Sequence, residues 1–299
     1  MKSSPLVSGL YIVSTPIGNL DDITLRSLEV LKKSDIILCE DTRRSLKLLN
    51  HYKINKKLIS YHKFNEKKEL HRIIEYLNEG KILSLISDAG TPVLSDPGLL
   101  LVKACVEKGI KLFPIPGPSS ITAVTCLSGF DDKFLFYGFL PKTENDLVKT
   151  INKLKNIDFS IVFFVPGIKI NFYLKFFKEY FHDRDIFIAR EVTKIHETFY
   201  RESINTISLF KTSLKGELTV VISKNSNKNK LESNDNINII NQAIKYLKKY
   251  SLKDVVELIS KKENISRRKI YEICLKIKND KKINSFYSFN FIVKWLRKN

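Results

Sequence analysis

An α/β fold in two parts, followed by a small helical domain, is what this 299-residue sequence predicts. Three observations carry the prediction. Short β-rich runs alternate with amphipathic stretches through the first 116 residues. From about residue 118 the strands crowd together and that alternation is lost. A polar stretch at 224–236, in which Leu231 is the one large apolar residue, then sets off a last group of helical patterns. The length suits two ordinary domains and a small third one.

In order, the first part reads "LYIV" (10–13), "DIILC" (35–39), "KLIS" (57–60), "ILSLIS" (82–87) and "KLFPI" (111–115) as strands, because each is a short apolar run bounded by turn or polar residues. Between them, "TLRSLEVLKK" (24–33), "RSLKLLNHY" (44–52), "KELHRIIEYLNE" (68–79) and "GLLLVKACVEKG" (98–109) place apolar residues three and four apart, the spacing of one helix face. Strand and helix in alternation predict a mainly parallel sheet. In the second part, "FLFYGFL", "FSIVFFV", "DIFIARE", "HETFYRES" and "ELTVVIS" read as strands and 144–155 and 170–181 as helices. The close pair 187–192 and 196–202 predicts a hairpin, hence a mixed sheet. The stretch at 225–236 reads as a linker. Beyond it, "NIINQAIKYLKKY", "SLKDVVELISKKE" and "SRRKIYEICLKIK" read as three short helices. Ser251 and Ser266 are candidate N-caps, and Ser251 with Asp254 resembles a capping box. The expected domains are therefore 1–116, 117–224 and 237–299, with 225–236 as the tether.

Charge adds a partner class. Lys and Arg number 51 against 32 acidic residues, for a net charge of +19. From Lys224 onward there are 19 basic and 7 acidic residues, so +12 of the +19 falls in the last quarter of the chain. A uniform compositional drift does not concentrate charge in this way, and a basic module invites a polyanion. Cys39, Cys105, Cys126 and Cys274 lie far apart, with no C-x-x-C pair, and read as reduced, mostly buried thiols. No Cys/His or carboxylate set has metal-ligand spacing, so no metal is expected. The N-terminal apolar stretch is interrupted by Pro5, Gly9, Ser14 and Pro16, and no run approaches a membrane span, so a cytoplasmic protein is expected.

In open α/β sheets, ligands gather outside the carboxyl ends of the strands. Four loops follow strands here: "STPIGNLDD" (14–22), "EDTRRS" (40–45), "HKFNE" (62–66) and "SDAGTPVLSDPG" (87–98). A fifth turn, "PIPGPSS" (114–120), precedes a helix and offers backbone N–H groups and two hydroxyls. Turn chemistry alone explains any one of them. It does not explain five polar loops at one sheet edge. Neither G-x-G-x-x-G nor G-x-x-x-x-G-K-[ST] is present, which disfavours hydride transfer and nucleotide hydrolysis on the usual scaffolds.

In order along the chain, "LYIVSTPIGNLDDITLRSLEVL", "CEDTRRS", "SYHKFNE", "LISDAGTPVLSDPG", "PIPGPSSITA", "FYGFLP", "AREVTKIHET" and "KGELTVVIS" resemble the motifs of the ribosomal RNA small subunit methyltransferase I family. That family has the fold of the tetrapyrrole (precorrin) methylases. The resemblance is dense over residues 9–223 and looser beyond. The pairing of T-P-I-G-N-L with S-D-A-G-T-P sets it apart from the tetrapyrrole enzymes, whose first loop is usually Gly-rich. It implies two α/β domains with S-adenosylmethionine in the cleft between them, a small C-terminal helical domain and a homodimer. The implied acceptor is a cytidine ribose 2′-hydroxyl of 16S rRNA in the small ribosomal subunit.

Carried over residue by residue, the resemblance implies a cofactor site bordered by Pro16, Gly18, Asp88, Ala89, Gly90 and Thr91, with Gly117, Pro118, Ser119 and Ser120 as a second edge. Strand ends at 163–165, 189–191 and 216–218, with Phe164, Ala189 and Glu217, close the other side. The available carboxylates are Glu40, Asp41, Glu66 and Asp88; Asp88 or Glu66 is the expected proton acceptor. Asn65 is expected to position substrate and Arg43 to anchor a phosphate or ribose, while Glu40 or Asp41 has the alternative of capping the helix near Thr42. Where relatives carry a sequence resembling Y-E-S-x-H-R-L, this chain reads "FFVPGIKINF", leaving only Lys169 as a basic counterpart. Either that segment is dispensable for methyl transfer or cofactor and substrate contacts are weakened here; the other motifs stand intact, which favours the first. Two alternatives share the chemistry in part: a methylase of a tetrapyrrole or other small acceptor, and a non-catalytic RNA-binding protein. The appended basic module argues against the first and the intact loops against the second. That module carries Lys248, Lys249, Lys253, Lys261, Lys262, Arg267, Arg268 and Lys269 around an expected core of Ile239, Ile240, Leu247, Val255, Leu258, Ile259, Ile270, Ile273 and Leu275.

Overall fold

The computed structural model describes residues 5–225, 239–263 and 266–279. The expected linker, apart from Asn225, lies outside the described residues. The chain divides into two compact units at Asn225/Ser226.

In the first unit, β1 (Gly9–Val13), β2 (Ile36–Cys39), β3 (Lys57–Ser60), β4 (Ile82–Ile86) and β5 (Leu112–Ile115) form a sheet in the order β3-β2-β4-β1-β5. Every pairing in it is parallel, as the alternation with helices requires. The helices are α1 (Leu25–Lys33), α2 (Thr42–His51), α3 (Glu66–Asn78) and α4 (Leu99–Glu107). Strand residues alternate between the two faces: Leu10, Leu38, Leu83 and Leu85 pack with Ile73, Leu77 and Leu101 of α3 and α4. Tyr11, Val13, Ile37 and Ile86 pack with Val30, Leu31 and Leu49 of α1 and α2. Because both faces are covered, the strands read as nearly unbroken apolar runs. All five carboxyl ends, and so all five polar loops, stand at one edge.

The remainder of this unit holds α5 (Ser120–Ser128), β6 (Phe134–Phe139), α6 (Glu144–Leu154), β7 (Ser160–Pro166), α7 (Ile170–Tyr180), β8 (Asp185–Arg190), β9 (Thr198–Ser203) and β10 (Glu217–Ile222). Its sheet order is β6-β7-β10-β8-β9, with β6 and β7 parallel and the other pairings antiparallel. The β8–β9 hairpin is where the sequence predicts it. Ile161, Phe163, Ile188 and Val220 meet α6 and α7 through Leu147, Ile151, Leu174 and Phe177. Val162, Phe187 and Val221 are covered instead by Ile121 and Val124 of α5. Arg184 is buried and its guanidinium donates to the carbonyls of Ser223 (3.1 Å), Lys155 (2.7 Å) and Ile157 (2.9 Å), tying three loop ends together.

The second unit contains a helical run over 239–247 (α8), then α9 (Leu252–Glu263) and α10 (Arg267–Asn279). Ser251 Oγ accepts from Asp254 N (3.3 Å) and donates to the Asp254 carboxylate (2.6 Å), so Ser251 caps α9, with Asp254 held to the hydroxyl rather than to the Ser251 backbone N–H of a full capping box. The core comprises Ile239, Ile240, Ala243, Val255, Val256, Ile259, Ile270, Cys274 and Ile277, with Leu247 and Ile273 partly buried. Leu258 and Leu275, expected inside, are exposed. The apolar stripe runs through 255, 256 and 259 and through 270, 274 and 277, at three- and four-residue spacing, and both leucines lie off that phase.

Candidate functional site

A cleft of about 680 Å³ opens over the carboxyl edge of the parallel sheet and is walled on its far side by the second sheet. Its near wall is stitched together by short polar contacts. Thr15 and Gly90 form an isolated two-bond bridge, Thr15 N to Gly90 O at 2.9 Å and Gly90 N to Thr15 O at 3.0 Å. Ser14 and Thr91 hydroxyls meet at 3.0 Å, and Thr91 Oγ1 donates to Pro118 O at 3.3 Å. The loops after β1, β4 and β5 are thus one connected shelf. Asp88 joins the loop after β2: its carboxylate accepts from Asp41 N (3.2 Å) and from Arg44 Nη1 (3.1 Å).

The shelf needs particular backbone. Gly90 has φ +79°, and a Cβ there would stand 3.2 Å from Ile17 Cγ2, so any side chain is both strained and crowded. Val93 (φ 77°) and Ser95 (φ 69°) also adopt the left-handed region, at a cost of about 1–3 kcal/mol each. Such strain persists only where the surroundings hold it, and here it falls in the loop that lines the cleft.

The far wall is built from strand ends that meet at one edge. β7 and β8 finish there and β10 starts there, presenting Phe164, Glu191, Val192, Gly216, Glu217 and Thr219, with Phe139 beside Phe164 at 5.4 Å between ring centres. Glu191 Oε1 accepts from Lys194 Nζ (2.9 Å) and Glu217 N (3.1 Å). Burial alone would raise the Glu191 carboxyl, but those two donors together bring it below the usual range. The two walls touch where Asn19 N donates to Thr193 Oγ1 at 3.0 Å. Gly18 is required at that crossing, because a Cβ would lie 2.5 Å from Lys194 Cγ.

Five carboxylates, Glu40, Asp88, Asp96, Glu191 and Glu217, line this space, with Arg44, Lys47 and Lys194 as its cations. Burial, then the negative charge of Glu40, pushes Asp96 up to about 6, against the opposing hydrogen bond from Ser87. Burial and then Asp88 raise Glu40 as well. Asp41 behaves otherwise: the Arg43 side chain first, and then its backbone N–H, lower it to about 2. The amino end of α5, at Ser119 and Ser120, opens into the cleft with no side-chain cap. Its first N–H groups therefore favour a negative ligand group.

Of the residues nominated from sequence, Pro16, Gly18, Glu40, Asp88, Ala89, Gly90, Thr91, Ser119, Ser120, Phe164 and Glu217 line the cleft. Others stand behind or beside it. Gly117 packs on Ser14, where a Cβ would lie 2.9 Å from the Ser14 Cβ, and Pro118 contributes its carbonyl to the shelf. Ala189 is buried in β8. Asp41 caps α2 through Arg43 N (2.9 Å), and Arg43 turns back to the same carboxylate at 2.8 Å. Asn65 fastens its own loop, accepting from His62 N (2.8 Å) and donating to Ser60 O (2.9 Å). Glu66 is the first residue of α3 and is not among the lining residues. None of residues 165–169 lines the cleft either.

Sequence reasoning missed Asp96, Arg44, Lys47 and Lys194, and reached Glu191 only as the end of the 189–191 strand. For the first three a signal existed. Asp96 repeats the S-D of the same loop, and Glu40, Arg44, Lys47 and Leu48 recur at three- and four-residue spacing, so they share a face that excludes Arg43.

Comparison with known proteins agrees with this geometry. The family model described as Tetrapyrrole (Corrin/Porphyrin) Methylases matches residues 9–208. A Thermotoga maritima protein named Ribosomal RNA small subunit methyltransferase I is 46% identical over 72% of this chain and 97% of its own length. Proteins of the same name from Rickettsia prowazekii and Haemophilus influenzae are 42% and 36% identical over 91% and 94% of this chain, and 98% and 95% of theirs. Among solved structures, the methyltransferase CobJ aligns at TM-score 0.56 and 16% identity, over 73% of this chain and 94% of its own. A Thermus thermophilus uroporphyrin-III C-methyltransferase, complexed with S-adenosyl homocysteine, aligns at TM-score 0.54 and 13% identity over 72% and 97%. These two show the fold.

Proposed function

The chain belongs to the tetrapyrrole methylase family and, within it, to the ribosomal RNA small subunit methyltransferases I, and from that premise we propose that it methylates the ribose 2′-hydroxyl of a cytidine in 16S rRNA with S-adenosylmethionine. The observation that carries the reading is the cleft itself: a braced, mostly main-chain shelf facing apolar strand ends, with carboxylates turned into the space between. Its residues fit the cofactor. Gly90 brings backbone to the cleft where a Cβ would meet Ile17. Leu94, Ile121, Phe139 and Phe164 supply apolar walls, the carboxylates favour a positive centre, and the open end of α5 favours a carboxylate.

S-adenosylmethionine, when bound, supplies a methyl group already activated by a positive sulfur. The chain's own tasks are orientation, exclusion of water and proton handling. The bridge between Thr15 and Gly90 braces the near wall, and the contact of Asn19 with Thr193 ties that wall to the far one. Asp96 receives the hydroxyl proton, because it lines the cleft and its affinity for a proton is raised towards neutrality. Asp88, already bound to Asp41 N and Arg44, holds the shelf in place and orients Arg44. Arg44, Lys47 and Lys194 take phosphates of the acceptor strand.

The basic C-terminal helices engage rRNA phosphates through exposed cations such as Lys249 and Lys253, and the active form is a homodimer working in the cytoplasm on small ribosomal subunits. Among the described residues no helix is long and apolar enough to cross a membrane. Calorimetric titration of the full chain with S-adenosylmethionine, with and without a chelator, tests the cofactor reading. One-to-one binding per chain that is indifferent to chelator is expected; no binding by folded protein contradicts it.

A further inference from the structure

The loop after β3 holds a side chain that the reaction outlined above does not use. Phe64 is 94% exposed, the most exposed aromatic among the described residues. Its loop is nonetheless rigidly braced. Asn65 ties His62 N and Ser60 O (2.8 and 2.9 Å), Phe64 N donates to His62 Nδ1 (3.2 Å), and Glu66 N returns to His62 O (2.9 Å). The Phe64 ring has one aromatic neighbour, the edge of His62 at 6.1 Å. A braced loop that presents an aromatic face to water gains nothing for the core.

Its position is informative. β3 runs parallel beside β2, with Ser60 level with Cys39, and Ser60 Oγ donates to the carbonyl of Glu40 at 3.4 Å. Glu40 lines the cleft, so the loop stands directly beside the cleft residues contributed by β2 and α2. Lys63, Lys67 and Lys68 flank Phe64, are exposed and make no ion pair among the described residues. Arg44 and Lys47 continue the positive charge on the cleft side. An isolated aromatic among unpaired lysines, rather than a contiguous apolar patch, suits a stacked base with phosphates to either side better than a protein surface.

We propose that Phe64, presented by this braced loop, stacks on an unpaired base of the RNA strand that leads the acceptor nucleotide into the cleft. Single-stranded RNA is recognised largely by bases splayed onto aromatic faces, with cations tracking the backbone. Phe64 is thus a positioning residue for the acceptor and contributes nothing to cofactor binding. The proposal rests on the rRNA methyltransferase reading, and its test separates the two.

Full-length Phe64→Ala, Phe64→Leu and Phe64→Trp are compared with wild type in two assays. In methyl transfer to small subunits lacking the modification, Ala and Leu are expected to raise KM for the subunit roughly 5- to 150-fold, the range for losing one base–aromatic stack. Trp restores KM, while kcat, S-adenosylmethionine affinity and thermal unfolding stay at wild-type values in all three. In the second assay, a single-stranded oligoribonucleotide carrying 2-aminopurine is quenched by wild type and Trp but not by Ala or Leu. If wild type methylates no subunit, the functional reading fails and the quenching assay alone decides the stack. Equal KM for Ala and wild type, or Leu matching Trp in the quenching assay, overturns the proposal. So does conversion of a dimer to monomers by Phe64→Ala in sedimentation, which would assign the ring to a contact between copies of this chain.

Discussion

Replacing Asp96 with Asn removes a charge from the cleft with almost no change of shape, and two opposite effects are expected. Asp96 has a folded-state value of about 6 against an ordinary 3.8. The folded protein therefore takes up this proton first as pH falls. The stability it contributes is full below about pH 4 and is lost as pH rises through 6. At roughly 1.4 kcal/mol per pH unit the displacement corresponds to about 3 kcal/mol. Asp96 is only half-buried, so screening by solvent reduces this to about 1–2 kcal/mol. Asp96→Asn should accordingly stabilise the protein by about 1–2 kcal/mol at pH 8 and by nearly nothing at pH 4, measured by urea unfolding. Activity should move the other way. As proton acceptor, Asp96 should make wild-type kcat/KM rise with pH through about 6 and then level off, since kcat/KM reports the free enzyme. The Asn variant should lose that limb and about 10²- to 10⁴-fold in rate, with S-adenosylmethionine still bound. Refutation is straightforward: a variant that keeps the wild-type rate and pH profile leaves Asp96 without the role. One that loses stability at pH 8 together with activity shows a structural residue instead.

Other expectations are as direct. Gly90→Val should weaken S-adenosylmethionine binding in calorimetry and cost about 1–2 kcal/mol of stability, because φ is +79° and Ile17 is adjacent; unchanged affinity would remove the shelf from the site. Arg184→Met should destabilise the protein by about 3 kcal/mol in urea unfolding by leaving three carbonyls without their donor, while activity of the folded fraction persists. Removing residues 230–299 should spare cofactor binding but weaken engagement of small subunits and flatten its dependence on salt. Equal methylation by the truncated and full chains across a salt series would deny the module that role.

Most of the architecture was legible because its causes are local. Alternating apolar runs and three- and four-residue spacing gave the parallel sheet and its helices, and Ser251 with Asp254 gave a cap that forms as expected. The loop cluster was legible as well, since open α/β sheets place their loops at one edge. What was hidden depends on direction and distance. Whether Arg43 or Arg44 enters the cleft is decided by about 100° of helix rotation. Asn65 reads as a substrate contact until its amide is seen closing its own loop. Asp96 gains its raised affinity for a proton through burial and the proximity of Glu40, a residue 56 positions away, and no spacing rule anticipates that. Leu258 and Leu275 were placed inside by their side chains and are placed outside by their helix phase.

Incubation of the full chain with tritiated S-adenosylmethionine and small ribosomal subunits lacking the modification, followed by mapping of the labelled nucleotide, tests the central claim most directly. The account predicts label on the ribose 2′-oxygen of a single 16S cytidine. Label on a base, label on the large subunit in preference to the small, or no transfer by protein that binds S-adenosylmethionine would contradict it.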